Sequence, residues 1–477
     1  MKHVDDNFID GKWSKAGGSE RTTVVNPTTE ADYATVAHGS RMDVASAAEA
    51  AAKAFPDWSS MAAGARAAIL ERTLKEIENR TDAFVEAMAR EIGVPVWFGK
   101  MLQLPMPLRN GAVAVEAIRS MRWREFMGPS LVSRVPVGVI GAITPWNAPL
   151  HQIVAKVMAA LAAGCTVILK PSEIAPSTAI LFTESLAAAG LPPGAFNMVW
   201  GGPEVGSAIC SHPDIDMVSF TGSERVGMAV AEAAGRRGKR VVLELGGKSA
   251  AVILDDAPLE KAIPAVLTSC FANSGQTCVA QSRMVVPRRL RGEIEDLCRD
   301  AMKTWTVGDP LDPSTRLGPL ATSAHYRRVR EYIARGAAEG AKAIEGSGER
   351  IEPERGYFVL PTVFSRVEPS MIIATEEIFG PVLSVIAYDD EREAIAIAND
   401  TSYGLSGSVW GSDNERALRV ACQLRTGQVS LNGAPQNFLT PFGGFKKSGF
   451  GRENGRFGVE EFLQYQAIHG AAAVPDA

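Results

Sequence analysis

The pattern of apolar and polar residues changes near Val137. Before it, residues 42–92 are rich in alanine and carry charges at helical spacing, which predicts consecutive amphipathic helices. After it, short and almost wholly apolar runs alternate with longer helical segments, and these runs are VGVIGAI, CTVILK, FNMVW, DMVSF and VVLEL. Strands that are apolar on both faces and separated by helices indicate a parallel sheet covered on both sides.

Two further patterns divide the chain. Residues 120–140 read SMRWREFMGPSLVSRVPVGVI, and the Gly-Pro pair between two β-prone runs predicts a hairpin. A second series of α/β segments begins after Gly246 and continues to about residue 447. The sequence therefore predicts an α/β protein with two doubly wound lobes, right-handed crossovers and a β-hairpin.

Composition and charge exclude several classes of partner. A net charge of −5 over 477 residues gives no basic surface for nucleic acid or for an anionic membrane. The chain has neither a membrane-spanning apolar stretch nor, in MKHVDDNFIDGKW, the apolar region of a signal peptide. Six cysteines without a CxxC pair and six histidines without metal-binding spacing predict a cytoplasmic protein with reduced thiols and no metal.

Glycines and polar residues follow the predicted strands. The run DMVSF leads into TGSERVG, where a helix that begins at Ser223 could bind a pyrophosphate or could simply be capped by the serine. The run CTVILK ends on Lys170, at the edge where α/β sheets bind ligands, although a solvated strand end has the same pattern. No GxGxxG motif follows a strand. The segment LELGGKSA resembles a phosphate loop, but Val242 stands where that motif requires glycine.

Three side chains are candidates for chemistry. Glu244 interrupts the apolar run VVLELGG, which indicates either a structural ion pair or a carboxylate with a shifted pKa. Asn147, in TPWN, could donate to an oxyanion or cap the next helix. Cys278 lies in FANSGQTCVAQSR, among small and polar residues, but a single cysteine is more often inert packing than a nucleophile. No GxSxG motif supports a hydrolase triad.

Taken together and in this order, the motifs TPWN, KPSE, FTGSxxxG, LELGGKS, GQTC, EEIFGPV and PFGGFKKSGFGRE resemble those of the aldehyde dehydrogenase superfamily. The resemblance extends from NPTTE near the start to GVEEFLQ near the end. It implies an NAD(P)-dependent, hydrolytic, non-phosphorylating enzyme that oxidises an aldehyde to the carboxylic acid. It also implies that the first lobe is a variant Rossmann cofactor domain, which is consistent with the missing GxGxxG motif.

The resemblance assigns catalytic roles to five residues. Cys278 corresponds to the nucleophile, which forms a thiohemiacetal and then a thioester. Glu244 corresponds to the base that activates the hydrolytic water, and Asn147 corresponds to the oxyanion donor, with the backbone N–H of Cys278 as its partner. Lys156 and Glu453 correspond to groups that relay protons.

The resemblance also implies the contacts of the cofactor. A carboxylate at Glu173 would accept hydrogen bonds from the ribose hydroxyls and repel a 2′-phosphate, so NAD is expected, with NADP as an alternative. The cofactor positions are Ile143, Thr144, Pro145, Trp146, Lys170, Ser172, Glu173, Thr221, Gly222, Ser223, Gly227, Leu245, Gly246, Glu377 and Phe379.

The positions expected to contact the substrate are small or polar on the helix after TPWN. On this helix they are Ala148, His151, Gln152 and Ala155. Thr277 and Val279 flank the nucleophile, and Phe442 is expected on another wall. Small residues predict a roomy pocket, and the absence of arginine does not favour a carboxylated semialdehyde. We therefore expect a bulky, aromatic or branched aldehyde.

The resemblance implies the following domain boundaries. Residues 1–118 and 137–246 form the NAD-binding domain, to which residues 448–463 return, and residues 247–447 form the catalytic domain. Residues 119–136 and 464–472 form an oligomerisation arm. Pairing of its β-edge with a second subunit predicts a homodimer or homotetramer.

Three other functions remain open from the sequence. A CoA-acylating dehydrogenase typically lacks the hydrolytic glutamate, whereas Glu244 is present. A cysteine esterase would not need Glu377 or TGSERVG. A catalytically silent binding or structural protein would usually lack the nucleophile or the base, and this chain retains both.

Overall fold

The computed structural model describes residues 1–345 and 355–471. Its strands are β1 (Lys2–Val4), β2 (Asp6–Ile9), β3 (Lys12–Lys15), β4 (Arg21–Asn26), β5 (Ala31–Ala37), β6 (Arg124–Met127), β7 (Ser130–Pro136), β8 (Val139–Ile143), β9 (Thr166–Lys170), β10 (Phe196–Met198), β11 (Met217–Thr221), β12 (Arg240–Glu244), β13 (Ala250–Ile253), β14 (Arg283–Pro287), β15 (Lys342–Glu345), β16 (Thr362–Ser365), β17 (Val382–Tyr388), β18 (Ser406–Trp410), β19 (Gln428–Leu431), β20 (Gly449–Phe450) and β21 (Leu463–Ile468).

The α-helices cover both faces of the larger sheets. They are α1 (Arg41–Ser60), α2 (Ala63–Asn79), α3 (Thr81–Ile92), α4 (Val96–Phe98), α5 (Pro105–Ser120), α6 (Pro149–Ala163), α7 (Pro176–Ala188), α8 (Pro203–Ser211), α9 (Glu224–Gly235), α10 (Leu259–Phe271), α11 (Arg291–Met302), α12 (Ser323–Ala338), α13 (Ile372–Thr375), α14 (Glu391–Asn399), α15 (Asn414–Ala421) and α16 (Gly455–Glu460). The amphipathic helices predicted for residues 42–92 correspond to α1, α2 and α3.

The first lobe is built on an eight-stranded sheet in the order β20-β12-β11-β8-β9-β10-β2-β3. Strands β12, β11, β8, β9 and β10 are parallel, and the antiparallel strands lie toward the two edges. Every residue of β8, β9 and β11 is buried. This burial on both faces is why these strands read as continuous apolar runs.

The second lobe is built on a seven-stranded sheet in the order β15-β16-β17-β14-β13-β18-β19. All neighbours in this sheet are parallel except β15, which runs antiparallel to β16. Helices again connect the parallel strands. The α/β class with two lobes, predicted from the sequence, is confirmed.

The predicted hairpin is formed by β6 and β7, which turn at Gly128, and β21 pairs with β7 to make a three-stranded antiparallel sheet. Residue 472 of the predicted arm and residues 346–354 of the predicted catalytic domain lie outside the described residues. The apolar pattern does not predict the strands β1 to β5. The reason is visible in β3, whose residues are all exposed and therefore carry no apolar alternation.

Residues 1–345 and 355–471 contain neither a membrane-spanning helix nor a cluster of metal ligands. None of the helices there combines the length and the hydropathy that a bilayer crossing requires. No group of three or more His, Cys, Asp and Glu side chains there could hold a metal ion.

Candidate active site

The carboxyl ends of four parallel strands lie side by side at one edge of the eight-stranded sheet. The register pairs Ile143 with Lys170 and with Phe220, and it pairs Thr221 with Glu244. Residues that follow these strands therefore meet at the same edge, where open α/β sheets bind ligands. The motifs TPWN, KPSE, TGS and LGG all begin there.

A cleft of about 230 Å³ opens at this edge, between the two lobes. Its lining consists of Pro145, Trp146, Asn147, Gln152, Thr221, Gly222, Ser223, Leu245, Gly246, Cys278, His325, Arg328, Glu377 and Phe379. All of these residues except His325 and Arg328 are site residues predicted from the sequence. Tertiary structure thus brings the nucleophile candidate and most of the cofactor candidates into one cavity.

The loop that carries Cys278 depends on an unusual backbone. Asn273, Ser274 and Gly275 have φ values of 54°, 56° and 74°, which place three consecutive residues in the left-handed region. A Cβ atom on Gly275 would lie 2.2 Å from the carbonyl carbon of Gly380, so only glycine fits between the loop and the segment before β17. The loop is therefore held against the second lobe.

Cys278 differs from the other five cysteines in its environment. Its side chain is half-buried and lines the cleft, whereas Cys422 is exposed and the other four cysteines are buried. Desolvation raises the pKa of the Cys278 thiol well above its usual value, and the negative charge of Glu244 adds to the effect. The thiol consequently needs a proton acceptor before it can act as a nucleophile.

Asn147 is fixed by hydrogen bonds from both ends of the nucleophile loop. Its Nδ2 donates to the carbonyl oxygen of Gln276 at 3.0 Å. The backbone carbonyl oxygen of Asn147 accepts from Asn273 Nδ2 at 2.9 Å and from Gln103 Nε2 at 3.2 Å. Since an amide nitrogen carries two hydrogens, Asn147 retains one for a second acceptor in the cleft.

Glu244 ends β12 and is 1% exposed. Neither of its carboxylate oxygens has a hydrogen-bond partner in the part of the chain that the structure describes. Burial raises the pKa of this carboxyl well above its usual value, and the nearby charge of Glu453 raises it further. A buried, unpaired carboxylate of this kind is suited to proton transfer rather than to a structural ion pair.

Lys156 and Glu453 form a buried ion pair, with 2.5 Å between Lys156 Nζ and Glu453 Oε1. Lys156 lies on α6, every residue of which is buried. The backbone of Glu453 exchanges two hydrogen bonds with that of Phe442, at 2.7 and 2.9 Å. The charges of both side chains act on Glu244, since Glu453 raises the pKa of its carboxyl and Lys156 lowers it.

The remaining cofactor candidates lie along the same sheet edge but outside the lining of the cleft. Lys170 Nζ donates to Glu173 Oε1 at 2.7 Å. Ser172 Oγ accepts from the backbone N–H of Ile174 at 3.3 Å. Ile143 is the last residue of β8, Thr144 follows it, and Gly227 lies in α9.

His325 and Arg328 are site residues that the sequence analysis missed. Both lie on α12 of the second lobe. His325 Nε2 is 2.7 Å from the carbonyl oxygen of Phe379, and its ring centroid is 5.9 Å from those of Phe379 and Trp146. Arg328 donates to the carbonyl oxygen of Glu377 at 3.0 Å. No local motif marks these positions, because only packing of α12 brings them to the cleft.

Of the substrate candidates, only Gln152 is in the lining of the cleft. Thr277 and Val279 flank Cys278 and are half-buried. The side chains of Ala155, His151 and Phe442 are buried, and Ala148 is half-buried where α6 begins.

Sequence and structure comparisons agree on the family of the chain. Residues 13–468 match the model of the aldehyde dehydrogenase family. The chain belongs to the aldehyde dehydrogenase family. It is 47% identical to a 3-succinoylsemialdehyde-pyridine dehydrogenase from a Pseudomonas species, over 98% of this chain and 99% of that protein.

Two solved structures of aldehyde dehydrogenases are particularly similar. A Cys-to-Ala mutant of aldehyde dehydrogenase C from Pseudomonas syringae, in complex with NAD⁺ and octanal, has a TM-score of 0.97 and 46% identity, over 99% of this chain and 98% of that one. An aldehyde dehydrogenase from Mycobacterium tuberculosis, complexed with NAD⁺, has a TM-score of 0.94 and 41% identity, over 98% of both chains. The chain is thus an oxidoreductase that acts on aldehydes with NAD(P).

The residues of this aldehyde dehydrogenase fit the cofactor of its family. Thr144 Oγ1 and Thr221 Oγ1 are buried at the sheet edge without a hydrogen-bond partner among the described residues. The N-terminus of α9 also opens there, beside Ser223, and unpaired N–H groups of a helix attract phosphate. The cleft therefore offers hydrogen-bonding groups that the protein does not use for itself.

Proposed function

We propose that the protein oxidises an aldehyde to the carboxylic acid through a thioester on Cys278, which is hydrolysed by water that Glu244 deprotonates. One observation carries the proposal. The half-buried thiol of Cys278 shares a cleft with Asn147, and the buried carboxylate of Glu244, which has no partner in the described residues, acts electrostatically on that thiol.

In the first step, the Cys278 thiol gives its proton to water that enters the cleft, and the resulting thiolate adds to the carbonyl carbon of the aldehyde. A C–S bond forms, and the electron pair of the C=O bond moves to oxygen. The second hydrogen of Asn147 Nδ2 and the backbone N–H of Cys278 stabilise this oxyanion. The hydrogen bond from Asn147 Nδ2 to the carbonyl oxygen of Gln276 orients the side-chain amide before substrate enters.

The adduct then collapses, the C=O bond re-forms and the C–H bond breaks with its electron pair. NAD supplies the acceptor for this hydride when it is bound. The carbon remains bonded to Cys278 as a thioester. The two-electron oxidation is complete at this stage.

Hydrolysis releases the acid. Glu244 takes a proton from water, the resulting hydroxide adds to the thioester carbon, and the C–S bond breaks with the thiolate as leaving group. The raised pKa of Glu244 makes it a stronger base than an exposed carboxylate. Glu453 Oε2 has no hydrogen-bond partner among the described residues, which leaves it available to pass the proton onward.

The cofactor would span the sheet edge from Lys170 and Glu173 to the cleft. The N-terminus of α9 would bind its phosphates, and Glu377 with Phe379 would contact the nicotinamide half. His325 and Arg328 would support this part of the site, because they form hydrogen bonds with the backbone carbonyl oxygens of Phe379 and Glu377. Residues 1–118, 137–246 and 448–463 would then be the NAD-binding domain and residues 247–447 the catalytic domain.

We propose a bulky or aromatic aldehyde as substrate. Support comes from Ala148 and Ala155, whose small side chains lie one helical turn from Gln152, the residue of α6 in the lining of the cleft. The relatives named above act on a pyridine-bearing semialdehyde or bind octanal, and both are larger than acetaldehyde.

The arm formed by β6, β7 and β21 would join subunits into a homodimer or homotetramer. Both of its outer strands are edges, and they expose apolar side chains such as Phe126, Tyr465 and Ile468. An exposed strand edge with apolar residues is suited to pairing with another chain.

Spectroscopic detection of NADH after an aldehyde is added tests the proposal directly. We expect NADH and free carboxylic acid without CoA. Dependence of turnover on CoA, with an acyl-CoA product, would favour a CoA-acylating enzyme. Ester cleavage without any NADH would favour an esterase.

The charges around Glu244 predict opposite pH shifts in two variants. Glu453→Gln removes a negative charge that raises the pKa of Glu244 and of the Cys278 thiol, and it leaves the positive charge of Lys156 unpaired. Both effects lower these pKa values, so the acidic limb of the kcat/KM profile should move to lower pH. Lys156→Met should move the limb to higher pH. If the acidic limbs of both variants coincided with that of wild type, the electrostatic coupling would be refuted.

Glu173→Gln should shift cofactor preference toward NADP. The substitution removes the negative charge that would repel a 2′-phosphate and releases Lys170 from its 2.7 Å hydrogen bond. We expect the NADP-to-NAD ratio of kcat/KM to rise by roughly 10-fold or more. Glu184→Gln, a change of the same type on the exposed side of α7, is the matched control. If the NADP-to-NAD ratio of kcat/KM were the same in the two variants, Glu173 would not determine the cofactor preference.

A further inference from the structure

Gln152 occupies an unusual position for a carboxamide. It lies in the first turn of α6, its side chain is 4% exposed, and it lines the cleft that contains Cys278. Its Oε1 has no hydrogen-bond partner in residues 1–345 and 355–471. Burying an amide oxygen without a partner costs about 1–3 kcal/mol, so such a group is retained where something else satisfies it.

No neighbouring side chain on α6 satisfies this oxygen. The residues three and four positions away are Ala148, Pro149, Ala155 and Lys156. The first three have no hydrogen-bonding side chain, and Lys156 Nζ is bound to Glu453 Oε1. Gln152 is therefore the residue of α6 that brings an unpaired polar group to the lining of the cleft.

We propose that Gln152 is a polar subsite that binds a hydroxyl group of the aldehyde, so that this enzyme prefers hydroxy-substituted aldehydes to their hydrocarbon analogues. The proposal rests on the proposed function, because it takes Cys278 as the atom that bonds the aldehyde carbon. A hydroxyl both donates and accepts a hydrogen bond, so it can pair with either end of the carboxamide.

The charge around the thiol favours a neutral substituent over a carboxylate. The carboxylates of Glu244, Glu377 and Glu453 all raise the pKa of the Cys278 thiol, which shows that their field reaches the reacting atom. The buried cation Lys156 is already paired with Glu453, and Arg328, in the lining of the cleft, donates to the carbonyl oxygen of Glu377. A substrate carboxylate would meet the same repulsion, whereas a hydroxyl would not.

His151 adds a second neutral polar group to the first turn of α6. Its Nδ1 is buried without a partner among the described residues, and its ring centroid is 6.3 Å from that of Phe438. Burial lowers the pKa of His151 to about 4, with Glu453 opposing and Lys156 reinforcing the shift. The imidazole is therefore neutral at neutral pH, so it adds no charge beside Gln152 in the first turn of α6.

Pairs of substrates that differ by one group test the subsite. Suitable pairs are 2-methylpropanal with 2-hydroxypropanal, butanal with 3-hydroxypropanal, and 3-methylbenzaldehyde with 3-hydroxybenzaldehyde, each measured as kcat/KM at saturating NAD. We expect wild type to favour the hydroxylated member of at least one pair by roughly 10-fold, which corresponds to the net contribution of one hydrogen bond. Gln152→Leu should abolish this preference by slowing the hydroxylated member and should leave the hydrocarbon within about 3-fold.

Gln423→Leu, the same change at an exposed position on the second lobe, is the control and should keep the wild-type ratio. A wild type that favours the hydrocarbon in every pair, or a Gln152→Leu protein with an unchanged ratio, would overturn the subsite. The ratio of kcat/KM for the two members of a pair is first measured with the wild-type protein. The test therefore remains possible even if the Gln152→Leu protein folds poorly. Failure of the thioester chemistry is distinguishable, because it removes NADH formation with both members of a pair.

Discussion

Cys278→Ala should abolish aldehyde oxidation and leave the fold and NAD binding intact. The substitution removes the only thiol that lines the cleft in the described structure, and the side chain is half-buried, so little packing is lost. We expect kcat to fall by roughly 10⁴-fold or more, as when other enzymes lose their nucleophile. NADH formation gives the rate, and calorimetric titration with NAD gives the affinity.

Cys422→Ala is the matched control, because Cys422 is exposed and far from any proposed role. It should retain wild-type turnover. Measurable steady-state oxidation by the Cys278→Ala protein would show that another group attacks the aldehyde. Loss of NAD binding together with activity would instead show that Cys278 has a structural role.

Glu244→Gln should separate oxidation from hydrolysis. The amide has the shape of the carboxyl but cannot accept the proton of water, so the thioester should accumulate on Cys278. We expect a burst of about one NADH per active site, followed by turnover about 10²–10⁴-fold slower than wild type, the usual contribution of a general base. Rapid-mixing measurements give the burst, and mass spectrometry locates the acyl group.

Glu232→Gln, on an exposed helical ion pair, controls for the loss of one carboxylate. It should show wild-type kinetics. A Glu244→Gln protein with an unchanged steady-state rate would contradict the role as base. Loss of the burst itself would indicate that Glu244 also takes the proton of the thiol, which its electrostatic coupling to Cys278 makes chemically reasonable.

Much of the architecture follows from local pattern. The runs VGVIGAI, CTVILK and DMVSF became the buried strands β8, β9 and β11, because a strand covered on both faces must be apolar throughout. The hairpin of β6 and β7 followed from its Gly-Pro turn. The strands β1 to β5 did not follow, and β3 shows one reason, because its four residues are all exposed and carry no apolar alternation.

The candidate chemistry was predictable for a related reason. Cys278, Glu244 and Asn147 lie in short motifs, and each residue type is unusual in its local context. The order of these motifs along the chain then indicated the family, which the comparisons confirmed. Their roles in the reaction remain predictions that the two substitutions above test.

Only the tertiary structure decided how these groups are paired. It placed His325 and Arg328 of α12 in the cleft, paired Lys156 with Glu453, and left Glu244 and Gln152 Oε1 without partners among the described residues. Periodicity and motifs report which face of an element is buried, because that depends on neighbours along the chain. Hydrogen-bond partners and desolvation depend on neighbours from distant segments, so the pKa of a carboxyl and the polarity of a pocket appear only when the lobes are assembled.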